Sequence, residues 1–480
     1  MSDTRGLLDR ISAFRQRLDA TPHLIPEALP VDVEPDALAA DAEAFRVSVR
    51  RIAGEPPAGA DGPLPQFTDR AQRLLGGAKL LLDRQRAFTA DPHFAGLTAE
   101  ADALVGYHGE TVAILDAVVR AAQAFPDSAG TQLRLCDGLD GLLGVVTDRL
   151  AVQERALARR RTDADRIDRL AAFFTGLHAH RPATLESVAA LAEWLLEDVR
   201  QGQPMRFVRA AVASTAAHPG GGAFPAPARF VAAHAINVAQ VIARVIPYDY
   251  EWAGRPLLPV VAALVMDCGM LAVPHALLAK PEALTADERR AVEAHAKYGA
   301  ELLLWRFPTI GGPLATAVAT HHERADGTGY PTGLRGADLP PLGRLLRVAD
   351  VYAALGEDRP HRAALDPRAA LTEVLLMAEQ GQLDRDFAEY LLHLAFYPVG
   401  TAVELTDGRA GVVVANHPNR LDPRSPGRPV VAVLADADGR LLPHAEHVDL
   451  SASDRGGIVR GLPAARRRDL LGGRYPDLVC

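Results

Sequence analysis

HHERADGTGYP, residues 321–331, joins two adjacent histidines to acids, two glycines, a tyrosine and a proline. Alone it has two readings. It is either a polar helix end running into an ordinary turn, or a metal site with a substrate loop attached. What flanks it decides between them.

From 230 to about 395 the pattern is helical, and polar residues fall on apolar faces. Val231, His234, Val238, Val241 and Val245 recur at helical spacing, so His234 points inward. Asp267 interrupts LLPVVAALVMDCGMLAV (257–273), which reads as one buried helix too short to span a bilayer. Val292, His295, Gly299 and Leu302 share a face. Leu314 and Val318 lead onto His321 and His322, and Leu346, Asp350 and Ala354 line up. Thr285 and Glu288 have capping-box spacing and set the start of the helix that carries His295. Five helices thus turn His or Asp towards the interior. A buried carboxylate is costly unless paired or bound to a cation. Two of them near four imidazoles suit Fe, Mn, Zn, Co or Ni.

The rest of the chain bounds the function. It has 480 residues, 48% hydrophobic and 23% charged, with a net charge of −8. Nothing in that balance points to a nucleic-acid polymer or an anionic membrane as partner. RRR at 466–468 reads as a solvated face. Cys136, Cys268 and Cys480 lack metal-knuckle or disulfide spacing, and MSDTRGLLDRISAFRQRL has no apolar signal core. A reducing cytoplasm is the expected location.

The expected fold is mainly α, in three parts. Residues 1–217 form a helical N-terminal region with a long helix near 131–175. A sensory, dimerising or structural role would all look like this, and its periodicity suggests a homodimer. HPGGGAFPAPAR (218–229) cannot be regular structure and opens a helical domain over 218–397. TAVELTDG, RAGVVVANH and RPVVAVLADADG then read as strands of a small β-barrel-like appendage, 398–480 with its tail, in which 416–429 form a long exposed loop.

Taken together, the middle residues resemble the HD-GYP family, a branch of the HD-domain metal-dependent phosphohydrolases. HHERADGTGYP matches that family's signature at every defined position. MDCGMLAVPHALLAKPEALTADERRAVEAHAKYGAELL and RVADVYAAL with DRPHRAAL resemble its flanking segments. The resemblance covers about 230–395. It implies an all-helical fold, an Fe or Mn centre, and hydrolysis of cyclic di-GMP by water bound at the metal beside Asp267. One metal would be held by His295, His321 and His322 with Asp267 as a bridge. The other would use His234, Asp267 and Asp350. Asp326, Gly327, Gly329, Tyr330, Pro331 and Arg359 would face the nucleotide.

The chain departs from the family at two places. The histidine of the HD pair is Met266, and the lysine beside the scissile phosphate is Met270. Phe230 stands where some members carry a third-metal glutamate. One metal position is therefore complete and the other weakened. Losing a preorganised cation at a developing charge costs about a hundred- to a thousand-fold in rate. The expected function is a metal-dependent phosphohydrolase of weakened activity. Its alternatives are a non-catalytic module that binds cyclic di-GMP or a signalling protein, a phosphohydrolase of another nucleotide, and a helical scaffold with polar core residues.

Overall fold

The computed structural model describes residues 65–95, 103–123, 129–203, 205–210, 226–309, 311–359, 362–394, 397, 399–415, 427–452 and 456–471. The first 64 residues, most of HPGGGAFPAPAR and most of the loop 416–429 lie outside them.

Three helices lead the described chain: α1 (Pro65–Thr89), α2 (Ala103–Gln123) and the 50-residue α3 (Ala129–His178). No proline interrupts α3, and its apolar residues recur at three and four. Its first half packs on α1 and α2 through Leu81, Ile114, Leu139 and Val146. Beyond its end, His180 takes a left-handed conformation (φ 55°). Helix α4 (Leu185–Arg200) follows, burying Val188, Leu191 and Leu195.

The central helix is α5 (Pro227–Val245). Pro227 suits the first turn, where its missing N–H costs nothing. Residues 231–243 are buried on nearly every side, and the small Ala232, Ala235 and Ala239 let neighbours approach closely. Around it stand α6 (Leu257–Val265), α7 (Ala286–Arg306), α8 (Gly312–Thr320) and α9 (Pro341–Leu355). Then come α10 (Pro367–Glu379) and α11 (Arg385–Tyr390). Thr285 and Glu288 form the expected reciprocal capping box of α7. Asp366 and Asp384 cap α10 and α11 by accepting from backbone N–H groups. Among the described residues only Pro227–Tyr248 is long and apolar enough to cross a membrane, and 83% of it is buried within this bundle. One continuous apolar core runs from Ile167 to Leu394, so the end of α3 and all of α4 pack into it.

The stretch 257–273 is not one helix. It ends at Val265, Asp267 leaves helical geometry (φ −97°, ψ 13°), and 268–272 continue as a tight 3₁₀ turn. The cause is a close crossing with α7, where a Cβ at Gly269 would collide with the His295 carbonyl.

The C-terminal part is an antiparallel sheet of five described strands, β1 (Ala402–Leu405), β2 (Ala410–Ala415), β3 (Val430–Ala435), β4 (Leu441–Asp449) and β5 (Ile458–Gly461). The order is β4-β3-β2-β1-β5, and "barrel-like" describes this row only loosely. Strand alternation splits its apolar residues. Val403, Val413, Val431 and Val433 face one side with Tyr397 and Leu450, while Ala402, Val412 and Leu434 pack under Leu470 and Leu471 of α12 (Ala464–Leu471). Arg466 and Arg467 on α12 are half-buried rather than a fully solvated face, with Arg466 Nη2 donating to the Gly439 carbonyl at 3.4 Å.

Candidate metal centre

The fold gathers His and Asp side chains from 116 residues of chain around one point. His234, Asp267, His295, His321 and Asp350 are all buried, and His322 is half-buried. The ligand atoms of Asp267, His295, His321 and His322 lie within 4.8 Å of one another.

His295 and His321 are oriented alike. The Nδ1 of each lies 2.6 Å from a carbonyl three residues earlier, of Val292 and Val318. A carbonyl only accepts, so Nδ1 carries the proton and Nε2 is left bare. The two Nε2 atoms are 3.4 Å apart, and 3.3 and 3.5 Å from Asp267 Oδ1. Three acceptors thus face one another with no donor between them. Burial would push the His295 imidazole down, but Asp267 raises it, so without a cation a shared proton fills the gap. Burial likewise opposes the Asp267 charge, yet His295 and His321 hold its carboxyl well below the usual carboxylate range. Two imidazole nitrogens and a carboxylate oxygen turned on one point fit a divalent transition metal.

His322 differs. Its Nδ1 accepts from Arg347 Nη1 at 3.1 Å, so the neutral ring carries its proton on Nε2. Burial and the neighbouring His321 keep it neutral. The same Arg347 nitrogen donates to Asp350 Oδ2 at 3.1 Å. Asp350 Oδ1 lies 3.0 Å from His234 Nε2, whose ring is 3.8 Å from Asp267. The other His234 nitrogen donates to Glu357 at 2.9 Å. Burial would lower His234, but the charge of Glu357 and the hydrogen bonds to Asp350 and Glu357 raise it to about 10. That nitrogen then donates to Glu357, and Arg359 Nη2 at 3.3 Å is a packing neighbour that itself donates to Glu357 at 3.0 Å.

Glu357 escapes a sequence reading because its partners are remote. Asn237 joins it, donating to Glu357 Oε1 at 2.7 Å and pinning residue 208 through bonds of 2.7 and 3.0 Å to the Val208 amide and carbonyl. His178, at the end of α3, bonds the Cys268 carbonyl at 2.6 Å, one residue from Asp267.

The loop after His322 is fastened by the motif's own glutamate. Glu323 is buried, and its carboxylate accepts from the amides of Thr332, Gly333 and Leu334 and from the Thr332 hydroxyl, at 2.6–3.1 Å. Gly327 has φ 76°, and a Cβ on Gly329 would strike the Glu323–Arg324 backbone. The glycines let the chain approach itself. Asp326 closes a turn by accepting from the Thr328 amide and hydroxyl. Tyr330, joined to the exposed Pro331 by a cis peptide, stacks on His322 with ring centroids 4.7 Å apart. Arg359 lies over the Phe230 ring at 5.4 Å. Met266 is fully buried in the apolar core and Met270 half-buried against it.

Residues 226–387 match the HD domain family, and 402–466 match the KOW domain associated with HD domain. The relatives narrow that class. A cyclic di-GMP phosphodiesterase of Pseudomonas aeruginosa is 34% identical over 206 residues, 42% of this chain and 48% of that one. A 3'3'-cGAMP-specific phosphodiesterase of Vibrio cholerae is 39% identical over 150 residues, 30% of each chain. The cyclic di-GMP phosphodiesterase response regulator of Xanthomonas campestris pv. campestris is 42% identical over 125 residues, 25% of this chain and 32% of that one. The chain thus carries an HD domain of the HD-GYP kind, and it spans about half or less of the length of these relatives.

Proposed function

We propose that this protein hydrolyses a phosphodiester bond of a cyclic dinucleotide, cyclic di-GMP first, at a centre holding Fe or Mn. The observation that carries the reading is the meeting of Asp267 Oδ1 with the bare Nε2 atoms of His295 and His321, beside the HD-GYP loop. A divalent ion bound there supplies a Lewis acid for the phosphodiester and a nucleophile from water at neutral pH. The chain's own residues do the rest. Asp267, His295 and His321 hold the ion, the Val292 and Val318 carbonyls keep both rings in the ligand tautomer, and Glu323 fixes the loop that carries Tyr330. Tyr330 offers its ring to a base, and Arg359 lies at the rim as a cation for phosphate. The 1–217 region and the 398–480 appendage are read as regulatory units in the cytoplasm, the first joined to the centre through the shared core.

One observation favours a second reading, a receptor that binds without turnover. The chain has three lysines, Lys79, Lys280 and Lys297. Lys280 is spent on Glu288 and Lys297 points to Glu301 at the surface, so neither replaces the lysine lost at Met270.

The test is turnover of cyclic di-GMP and of 3'3'-cGAMP by the full chain, loaded anaerobically with Fe(II) or Mn(II). Linear product that disappears in His321→Ala is expected. No product from either nucleotide, with binding retained, would establish the receptor instead.

A further inference from the structure

The half of the centre that contains His234 and Asp350 already holds a positive charge. The Nη1 of Arg347 sits 3.1 Å from both His322 Nδ1 and Asp350 Oδ2. An imidazole nitrogen and a carboxylate oxygen converging on one point are what a second divalent ion would take. Arg347 is three residues before Asp350 on α9, on the same helix face, so the helix itself aims the guanidinium into the site. Its side chain is 15% exposed, which leaves little room for it to swing aside.

We propose that the Arg347 guanidinium stands in the place of a second metal ion, making this a one-metal centre. The inference rests on the metal reading above. Three arguments carry it. The first is ligand supply. Met266 is buried among apolar residues and offers no nitrogen, so a second ion would have only His234, Asp350 and a share of Asp267. The second is the tautomer. While Arg347 donates to Nδ1, His322 has its proton on Nε2 and has no lone pair to give a metal.

The third argument is charge. Asp267, Asp350 and Glu357 bring three negative charges, and Arg347 and Arg359 return two. With His234 neutral, one divalent ion leaves a single net positive charge. A second ion would leave three, buried, which the low dielectric makes costly. The guanidinium also has donors to spare. Its Nε is buried with no acceptor, and neither Nε nor Nη2 makes a hydrogen bond among the described residues. A phosphate oxygen is the acceptor such donors take best. Arg347 therefore supplies positive charge where Met270 cannot.

The test is metal content per chain, by elemental analysis of the full protein after anaerobic Mn(II) loading and removal of excess. One ion is expected in the wild type and in Met266→His, because the guanidinium still fills the second position. Two are expected in Met266→His with Arg347→Ala, or with Arg347→Gln if the smaller side chain fails to fold. Two ions in the wild type or in Met266→His alone would overturn the assignment and leave the proposed hydrolysis standing. So would one ion in both double variants. No ion in the wild type would overturn the metal reading itself.

Discussion

The two halves of the centre are built from the same residue types and reach opposite electrostatic states. On the His295–His321 side, backbone carbonyls take both Nδ1 protons and leave bare nitrogens facing Asp267 at 3.3–3.5 Å. Nothing in the protein satisfies that arrangement except a proton or a cation. On the His234–Asp350 side every acceptor already has a protein donor: Arg347 on Asp350 and His322, Arg359 and Asn237 on Glu357, His234 on both carboxylates. A metal site is therefore recognised by what its ligands lack as much as by their identity.

Three substitutions would break or sharpen that contrast. Asp267 is shared by both halves, and its loss has the largest effect. Asp267→Asn should lower metal affinity by more than about a hundred-fold, since outer-shell losses alone reach that size. Competition with a chelator measures it, and an unchanged affinity would remove Asp267 from the centre. Glu323→Gln comes next. It strips the charge from a carboxylate that holds Gly333 and Leu334, bonds worth roughly 1.5–3 kcal/mol when charged. The expected result is faster proteolysis within 326–336 and about a ten-fold rise in KM. Metal content should not change. Asn237→Leu has the smallest effect on the centre. It frees Val208 and Glu357 and should cost about 1–3 kcal/mol in thermal unfolding. The single bound ion should remain, because Asn237 serves only the half that needs none.

Much of the site was legible because helical spacing alone sends His234, His295, His321 and Asp350 inward, and HHERADGTGYP names its loop. The break at Asp267 was hidden, because the apolar run continues through it and only the crossing with α7 forces the turn. Glu357 and Asn237 were illegible for another reason, since they meet across 120 residues. Arg347 left a signal. It lies three residues before an inward aspartate, on a face where a cation had no solvent to reach. The glutamate of the HHE run looked like a further polar helix-end residue, and only the folded loop shows it as an anchor. In the appendage, strand alternation showed β1 to β3, whereas β4, β5 and α12 carry weaker patterns, and the sheet is an open row in the strands described.

The most direct measurement of the asymmetry compares metal content in the wild type, His321→Ala and His234→Ala, loaded alike with Mn(II). One ion in the wild type, one in His234→Ala and none in His321→Ala is the predicted result. Equal loss from the two variants would contradict it, because both halves would then be holding the same ion.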